Sequence, residues 1–158
     1  MSMSRLLKAA PIALALAALP AIGGAQTADN RAPIMWSAVT VEYVGDTLTL
    51  RGPAELVQGD RRFRADRISG FSQTGDSRLE ATGNVYFVTP DQTIRGDRAT
   101  YDTAGGVIVV TGDVILTQGE NVMTGARLTY NVETESARIE GASGNRVQGV
   151  FYPERSGT

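Results

Sequence analysis

The sequence repeats itself with a period of 29 residues, and this repeat restricts the possible folds more than any other feature. Gly83, Gly112 and Gly141 are spaced by that period, and apolar residues alternate with polar ones on both sides of the first two. The residues Ile94, Gly96, Arg98 and Tyr101 recur 29 positions later as Met123, Gly125, Arg127 and Tyr130. Alternation with a period of two, in segments rich in Val, Ile, Thr, Tyr and Phe, predicts β-strands joined by turns.

The glycine at the centre of each unit predicts a bent strand and not a tight hairpin. In a two-residue hairpin the residues that flank the turn face the same side of the sheet, which would pair Ala81 with Tyr86. Instead, the apolar residues Ala81 and Val85 keep one parity through Gly83. We therefore expect one long strand with Gly83 on its inner face, where a missing Cβ permits a sharp bend. The companion strands carry small residues at the matching place, namely Ala65, Gly96 and Gly125.

Stacking such bent hairpins predicts an all-β fold, a bent antiparallel strand stack that is V-shaped in cross-section and apolar on both inner faces. The residues expected to form columns on these inner faces are Leu50, Leu56, Leu79, Val85, Phe87, Ile94, Ile108, Val110, Val114, Leu116, Met123 and Ile139. Periodicity alone leaves two possibilities open. The two walls either close into a side-chain core or form an apolar trough that binds acyl chains.

The first 25 residues are typical of a secretory signal peptide. Arg5 and Lys8 precede an apolar run, and residues 23–25 are small enough for cleavage near Ala25. The run is short for a membrane span, and an uncleaved anchor is the alternative. The expected organisation is a signal peptide at 1–25, a flexible segment at 26–32, a β-repeat domain at 33–153 and a polar tail at 154–158. We expect the protein to be exported.

The composition argues against several classes of function. The sequence has no Cys and no His, which excludes disulfides, thiolate or imidazole metal sites and a Ser-His-Asp triad. Without Arg5 and Lys8, 13 basic residues remain against 17 acidic ones, which predicts that nucleic acid is not a partner. Neighbouring carboxylates such as Glu133 and Glu135 are better explained as solvated surface groups than as a catalytic pair. We expect no catalytic residues, no metal and no cofactor.

Two further groups of residues are candidates for binding. Arg67, Arg98 and Arg127 recur once per repeat, and they either pair with cross-strand carboxylates on the outer face or contact ligand phosphates. The terminal strands, expected at 36–43 and 146–152, would leave unpaired edges. The residues expected to dock a partner there by strand addition are Trp36, Val41, Tyr43, Val147, Val150 and Tyr152.

The order of these motifs resembles the LptA/OstA-like family of lipopolysaccharide transport proteins. The likeness lies in residues 82–85 and 94–101, and in their second copy at 111–114 and 123–130. The opening Pro33-Ile34 and the closing segment 146–149 add to it. The resemblance extends from about Pro33 to Pro153. One departure is that no acidic residue follows Ala38, where the family usually has one.

The resemblance implies a non-enzymatic periplasmic protein with an OstA-like β-jellyroll fold. Such a protein carries lipopolysaccharide from the inner to the outer membrane, with the acyl chains of lipid A in its apolar groove. The implied partners are lipopolysaccharide, the OstA-like domains of inner-membrane LptC-type and outer-membrane LptD-type proteins, and further copies bound head to tail. The alternatives are a closed β-repeat that serves as a structural or envelope-adhesion module, and a soluble relative of the membrane-anchored or translocon domain.

Overall fold

A computed structural model describes residues 32–72 and 75–153, and these residues form one antiparallel sheet. Its strands are β1 (Ile34–Ser37), β2 (Thr40–Val44), β3 (Thr47–Gln58), β4 (Arg61–Ser72), β5 (Arg78–Val88), β6 (Gln92–Asp102), β7 (Val107–Gln118), β8 (Asn121–Asn131), β9 (Ala137–Glu140) and β10 (Gln148–Val150). The expected signal peptide, nearly all of the segment expected to be flexible and the polar tail lie outside the described residues. The predicted all-β antiparallel fold is confirmed.

The six long strands, β3 to β8, pair in chain order as a series of hairpins. At each end of this series the edge strand is split in two. Strands β1 and β2 pair with the two halves of β3, and strands β10 and β9 pair with the two halves of β8. The sheet therefore contains eight layers, and each layer has two halves.

Every pair of neighbouring long strands has a register shift at the same level, which we call the corner. In the β5–β6 pair, for example, Thr82 lies opposite Arg98 and Val85 lies opposite Gly96, so β5 has one more residue there than β6. The corner divides the sheet into two arms. Arm A contains β1, residues 54–58, 61–65, 85–88, 92–96, 114–118 and 121–125, and β10. Arm B contains β2, residues 47–51, 67–72, 78–82, 98–102, 107–111 and 127–131, and β9.

The corner of β5 consists of two residues with left-handed backbone, Gly83 with a φ of 79° and Asn84 with a φ of 45°. The strand continues through both, as the sequence predicted. The predicted position of Gly83 on the inner face is wrong. A Cβ on Gly83 would lie 3.0 Å from the Cβ of Asp66, which is exposed on the outer face. The left-handed backbone of the bulge rotates the glycine, so that its missing side chain faces outward.

The inner residues of the two arms pack against each other and form the core. Leu50, Leu79 and Val110 of arm B are buried, and so are Val85 and Ile94 of arm A. Alternation explains this pattern, because every second residue of each strand points to the inner face. The buried faces of the two arms meet because the sheet folds back on itself at the corner.

The terminal strands are shorter than the sequence predicted. The first is broken at Ala38 and Val39, although the Val39 amide still donates a hydrogen bond of 3.1 Å to the carbonyl of Arg51. The last, predicted at 146–152, is reduced to β10 (Gln148–Val150), and residues 141–147 separate it from β9, which ends at Glu140. Val147 consequently lies outside the strands. Among residues 32–72 and 75–153, no helix has the length and apolar character that crossing a membrane requires.

Candidate functional site

The predicted inner columns line the interior between the arms. Met123 and Ile139, on the last strands of the stack, are partly buried and pack against the core. Every other predicted column residue is buried. Several further residues are buried that the predicted columns did not include, among them Phe63, Ile68, Leu128 and Tyr130. The same alternation in β4 and β8 could have identified them.

The interior is closed in this structure. The ring of Phe87 in arm A lies 5.3 Å from the ring of Tyr130 in arm B, and 6.4 Å from that of Phe63. One apolar cavity of about 40 Å³ lies beneath them, far smaller than the roughly 300–1,000 Å³ of typical ligand pockets. The residues that line it are Ile34, Leu56, Gln58, Arg61, Phe63, Leu79, Phe87, Tyr101, Ile108 and Val132. Of the two possibilities that the sequence left open, the structure has the closed core.

The side of the V opposite the corner, where the free ends of the arms meet, is the mouth of the interior. The rim of arm A is polar. Gln58 pairs in register with Arg61, and Gln92 pairs with Gln118. The rim of arm B carries the aromatic residues Phe71, Tyr101 and Tyr130, followed by Val132. The mouth thus combines a polar edge with an apolar interior.

Arg61 bridges the two rims. Its side chain is only 7% exposed, and its guanidinium donates a hydrogen bond of 3.1 Å to the backbone carbonyl of Val132. Burial raises the pKa of Tyr101, and the positive charge of Arg61 acts on that pKa in the opposite direction. Arg61 and Tyr101 both line the cavity, one from each rim of the mouth.

A second polar contact crosses the mouth further along the stack. Gln92 of arm A is buried and hydrogen-bonds to Tyr130 of arm B. Burial raises the pKa of Tyr130, while the hydrogen bond to Gln92 and the charge of Arg61 lower it. Neither Arg61 nor Gln92 was predicted from the sequence. The alternation along each strand could have identified both, because Arg61 lies two residues before the buried Phe63 and Gln92 lies two residues before the buried Ile94. Residues two apart on a strand point to the same face of the sheet.

The arginine column lies on the outer face of arm B, next to the corner. Arg67, Arg98 and Arg127 are exposed or partly exposed members of one register row that runs through Thr82 and Thr111. Arg127 forms an ion pair of 3.9 Å with Glu140 on the neighbouring strand. A ligand of this row would approach from outside the V. Phosphate binding by these arginines stays a prediction.

The residues predicted to dock partners lie at the two ends of the stack. Trp36, Val41 and Tyr43 are register partners of interior residues of β3, and Tyr43 is 57% exposed because no strand covers that edge. At the opposite end Val147, Val150 and Tyr152 are exposed, and the Tyr152 amide donates a hydrogen bond of 2.8 Å to Asn121 Oδ1. Both ends of the stack therefore expose apolar side chains. Docking through them stays a prediction.

Residues 32–72 and 75–153 contain no cluster of acidic side chains that could hold a metal ion. The described titratable groups with a displaced pKa are the two tyrosines at the mouth. An apolar interior with a polar rim suits an amphiphile, whose alkyl chain and headgroup need those two environments.

Comparisons with known proteins agree with this geometry. The family model described as "LptA/(LptD N-terminal domain) LPS transport protein" matches residues 37–136, which is more than half of the chain. The LPS-assembly protein LptD of Neisseria meningitidis is 30% identical over 105 residues, which is 63% of this chain and 13% of that protein. LptD of Bordetella pertussis is 34% identical over 92 residues, 54% of this chain and 11% of that protein. The chain thus spans only a small part of these relatives.

A solved structure shares the fold. It is the crystal structure of LptH from Pseudomonas aeruginosa, the LptA homologous periplasmic component of the lipopolysaccharide transport device. It superposes with a TM-score of 0.70 and 18% sequence identity, covering 80% of this chain and 99% of LptH. The matched family is one of transport proteins, which confirms the prediction that the chain is not an enzyme. The chain belongs to the LptA/LptD N-terminal domain family of lipopolysaccharide transport proteins.

Proposed function

We propose that this protein is a periplasmic carrier that holds acyl chains of lipopolysaccharide between its two arms, as one link in transport from the inner to the outer membrane. The observation that supports this most directly is the sheet itself. Two apolar walls meet under a polar mouth, and the strands pass from one wall to the other at the corner. Membership of a lipopolysaccharide transport family supports the identity of the lipid.

Binding requires the arms to separate, because a cavity of about 40 Å³ has no room for an acyl chain. The corner allows such a movement. Each pair of neighbouring long strands has a register shift there, for example between Thr82 and Val85 in the β5–β6 pair. Apart from one further shift between Leu48 and Thr49 of β3, the ladders within the arms are regular. A change in the angle between the arms therefore leaves those ladders intact. Burial of the acyl chain, at about 0.8 kcal/mol per methylene, offsets the free energy needed to part the two packed walls.

The two ends of the stack would serve for assembly. Each end is an edge strand with exposed apolar side chains, such as Tyr43 on β2 and Val150 on β10. An exposed edge pairs readily with another strand. We propose that copies of this protein join head to tail, and that the OstA-like domains of LptC-type and LptD-type proteins dock on the same edges. The arms of successive subunits would then form one continuous groove.

Site-specific photo-crosslinking in cells tests lipid binding. A photo-crosslinking residue at Phe87 or Leu116, both on the inner face of arm A, is expected to capture lipopolysaccharide. Tyr86 and Ile115 are matched controls, because they precede these residues on the same strands and face outward. Adducts at the inner positions and none at the outer positions support the carrier. Adducts at neither, or equally at both, contradict it.

Mixing two edge variants tests head-to-tail assembly. Tyr43→Lys charges the β2 edge and Val150→Lys charges the β10 edge, and a lysine on an edge strand opposes pairing. Each variant alone keeps one intact edge and is expected to be monomeric in size-exclusion chromatography. A mixture of the two is expected to form a dimer, because the intact edges complement each other. A dimer of either variant alone would instead indicate pairing between identical edges.

One observation favours a second candidate function, a structural or adhesion module in the cell envelope. The interior is packed shut, with Phe87 and Tyr130 in contact across it. A module of that kind would never separate its arms. Absence of lipopolysaccharide adducts at every inner position, in a protein that still assembles through its edges, would support this candidate.

A further inference from the structure

We infer that Arg61 is the anion site of the mouth, where a phosphate headgroup displaces the Val132 carbonyl and so releases arm B while the alkyl chain enters the cavity beneath. This inference rests on the proposed function and specifies its ligand as an amphiphile with an anionic headgroup. Arg61 then has two linked roles. In the closed form it acts as a latch, which means that its hydrogen bond to Val132 holds the two rims together. In the open form it binds the phosphate.

The position of Arg61 supports the first role. The guanidinium donates to Val132 O at 3.1 Å, and that bond connects the first residue of β4 in arm A with the turn after β8 in arm B. The two residues are 71 positions apart in the chain. Arg61 is also the only buried charged residue in the part of the chain that the structure describes. A buried cation is costly unless polar groups compensate it, so its interactions at the mouth matter to the closed form.

The surroundings of Arg61 support the second role. The same side chain lines the apolar cavity together with Leu56, Phe87 and Ile108. A ligand whose alkyl chain enters the interior at this place, once the arms part, therefore has its headgroup beside the guanidinium. Gln58, the register partner of Arg61, lines the cavity as well and offers a polar side chain to the same headgroup.

An anionic headgroup is a better hydrogen-bond partner for Arg61 than the Val132 carbonyl is. A guanidinium offers five N–H donors in a planar fork that matches a phosphate with two parallel hydrogen bonds, whereas Val132 offers one neutral carbonyl. The bond to the carbonyl has a charge on the donor alone, whereas a phosphate adds the attraction between two opposite charges, and the apolar surroundings strengthen that attraction. A neutral headgroup has no such advantage over the carbonyl. The latch should therefore open for anionic amphiphiles in preference to neutral ones.

Other arginines are less suited to this task. Arg62 and Arg64, on the same strand, are exposed and point to the outer face, and Arg62 is paired with Glu55 at 2.9 Å. Arg67 and Arg98 lie on the outer face near the corner, on the side away from the mouth. Arg64 thus provides a matched control on the same strand.

Two amphiphiles with the same alkyl chain, dodecyl phosphate and dodecyl maltoside, test the inference below their micellar concentrations. Trp36, the only tryptophan of the sequence, pairs in register with the cavity residue Leu56 and reports binding by its fluorescence. We expect the mature chain to bind the phosphate about tenfold more tightly than the maltoside. Arg61→Gln should abolish that preference while leaving maltoside binding equal or tighter. Arg61→Lys should keep part of the preference, and Arg64→Gln should keep all of it.

The possible outcomes separate this inference from the proposed function. If the parent protein shows no preference, or Arg61→Gln retains it in a variant whose circular dichroism is unchanged, the assignment of Arg61 is overturned and the carrier stands. If neither amphiphile binds the parent protein, both are overturned. Competition then identifies the source of the phosphate. Displacement of dodecyl phosphate by lipid A, and not by phosphatidylglycerol, supports a lipopolysaccharide headgroup, and the reverse result contradicts the proposed lipid while keeping Arg61 as an anion site.

Discussion

Gly96 lies so close to Val110 of the neighbouring strand that a Cβ at Gly96 would collide with the valine side chain and lie 3.2 Å from the carbonyl oxygen of Thr111. The next repeat has the same relationship, because a Cβ at Gly125 would lie 2.5 Å from Ile139 Cγ2. In the preceding repeat, alanines (Ala65 and Ala81) occupy both equivalent positions. The space on the interior side of the corner is therefore limited, and the two neighbouring strands fill it with a different pair of side chains in each repeat.

We predict that Gly96→Ala lowers the free energy of unfolding by about 1–3 kcal/mol, because the added methyl group overpacks the corner. Val110→Ala alone should cost about 2 kcal/mol through the removal of two methyl groups. The double variant should lose clearly less than the sum, since each change relieves the other. Urea denaturation of the four proteins measures this coupling. Gly105→Ala is the control, because its nearest neighbour would lie at 3.7 Å; strictly additive losses would contradict the close approach.

On the outer side of the corner, one repeat has a hydrogen bond between two side chains, and the next repeat has two carboxylates at the equivalent positions. Asn84 Nδ2 donates a hydrogen bond of 2.9 Å to Asp66 Oδ2. In the next layer the equivalent residues are Asp113, with a similar φ of 42°, and Asp97. Two carboxylates lack a donor for each other at neutral pH.

Asp113→Asn is therefore predicted to stabilise the protein by about 0.5–1 kcal/mol, because it supplies the missing amide donor. Asn84→Asp should destabilise it by a similar amount. Thermal unfolding followed by circular dichroism gives both values. A loss of stability in Asp113→Asn would show that the two corners differ in geometry.

The two tyrosines at the mouth predict a decline of stability in alkali. Burial raises the pKa of both Tyr101 and Tyr130 in the folded protein. The unfolded chain releases these protons at its ordinary pKa of about 10, before the folded protein does. The contribution of the neutral tyrosines is therefore complete below pH 10 and is lost as the pH rises through their folded pKa values.

Urea denaturation at about pH 9 and about pH 11 measures this decline. Tyr130→Phe should reduce the loss between the two values, because one of the two groups is removed. Tyr43→Phe is the control, since Tyr43 lies on an exposed edge. The explanation fails if Tyr130→Phe loses as much stability between these pH values as the parent protein.

The architecture was predictable because its repeat is a local pattern. The 29-residue period and the alternation of apolar residues are sufficient to place Leu79, Val85, Phe87 and Ile108 on inner faces of one stack. The prediction placed Gly83 on the wrong face of the sheet for a physical reason. Alternation of faces holds only where the backbone is extended, and the bulge at the corner consists of two residues with left-handed backbone.

Two features of the site depend on the angle between the arms, which local patterns do not encode. The first is the closed interior, because the contact between Phe87 and Tyr130 joins strands that are distant in sequence. The second is the mouth. Alternation with Phe63 places Arg61 on the inner face of β4, but only the fold brings it to Val132.

The distance across the mouth tests the central claim most directly. Spin labels at Asp60 and Thr134, exposed turn residues on the two rims near Arg61 and Val132, can be introduced through cysteines because the chain has none of its own. Pulsed electron paramagnetic resonance then gives the label separation with and without lipopolysaccharide. We predict a short, narrow distance distribution in the free protein and a clear shift to longer distances when the lipid binds. An unchanged distribution in the presence of bound lipopolysaccharide would contradict it.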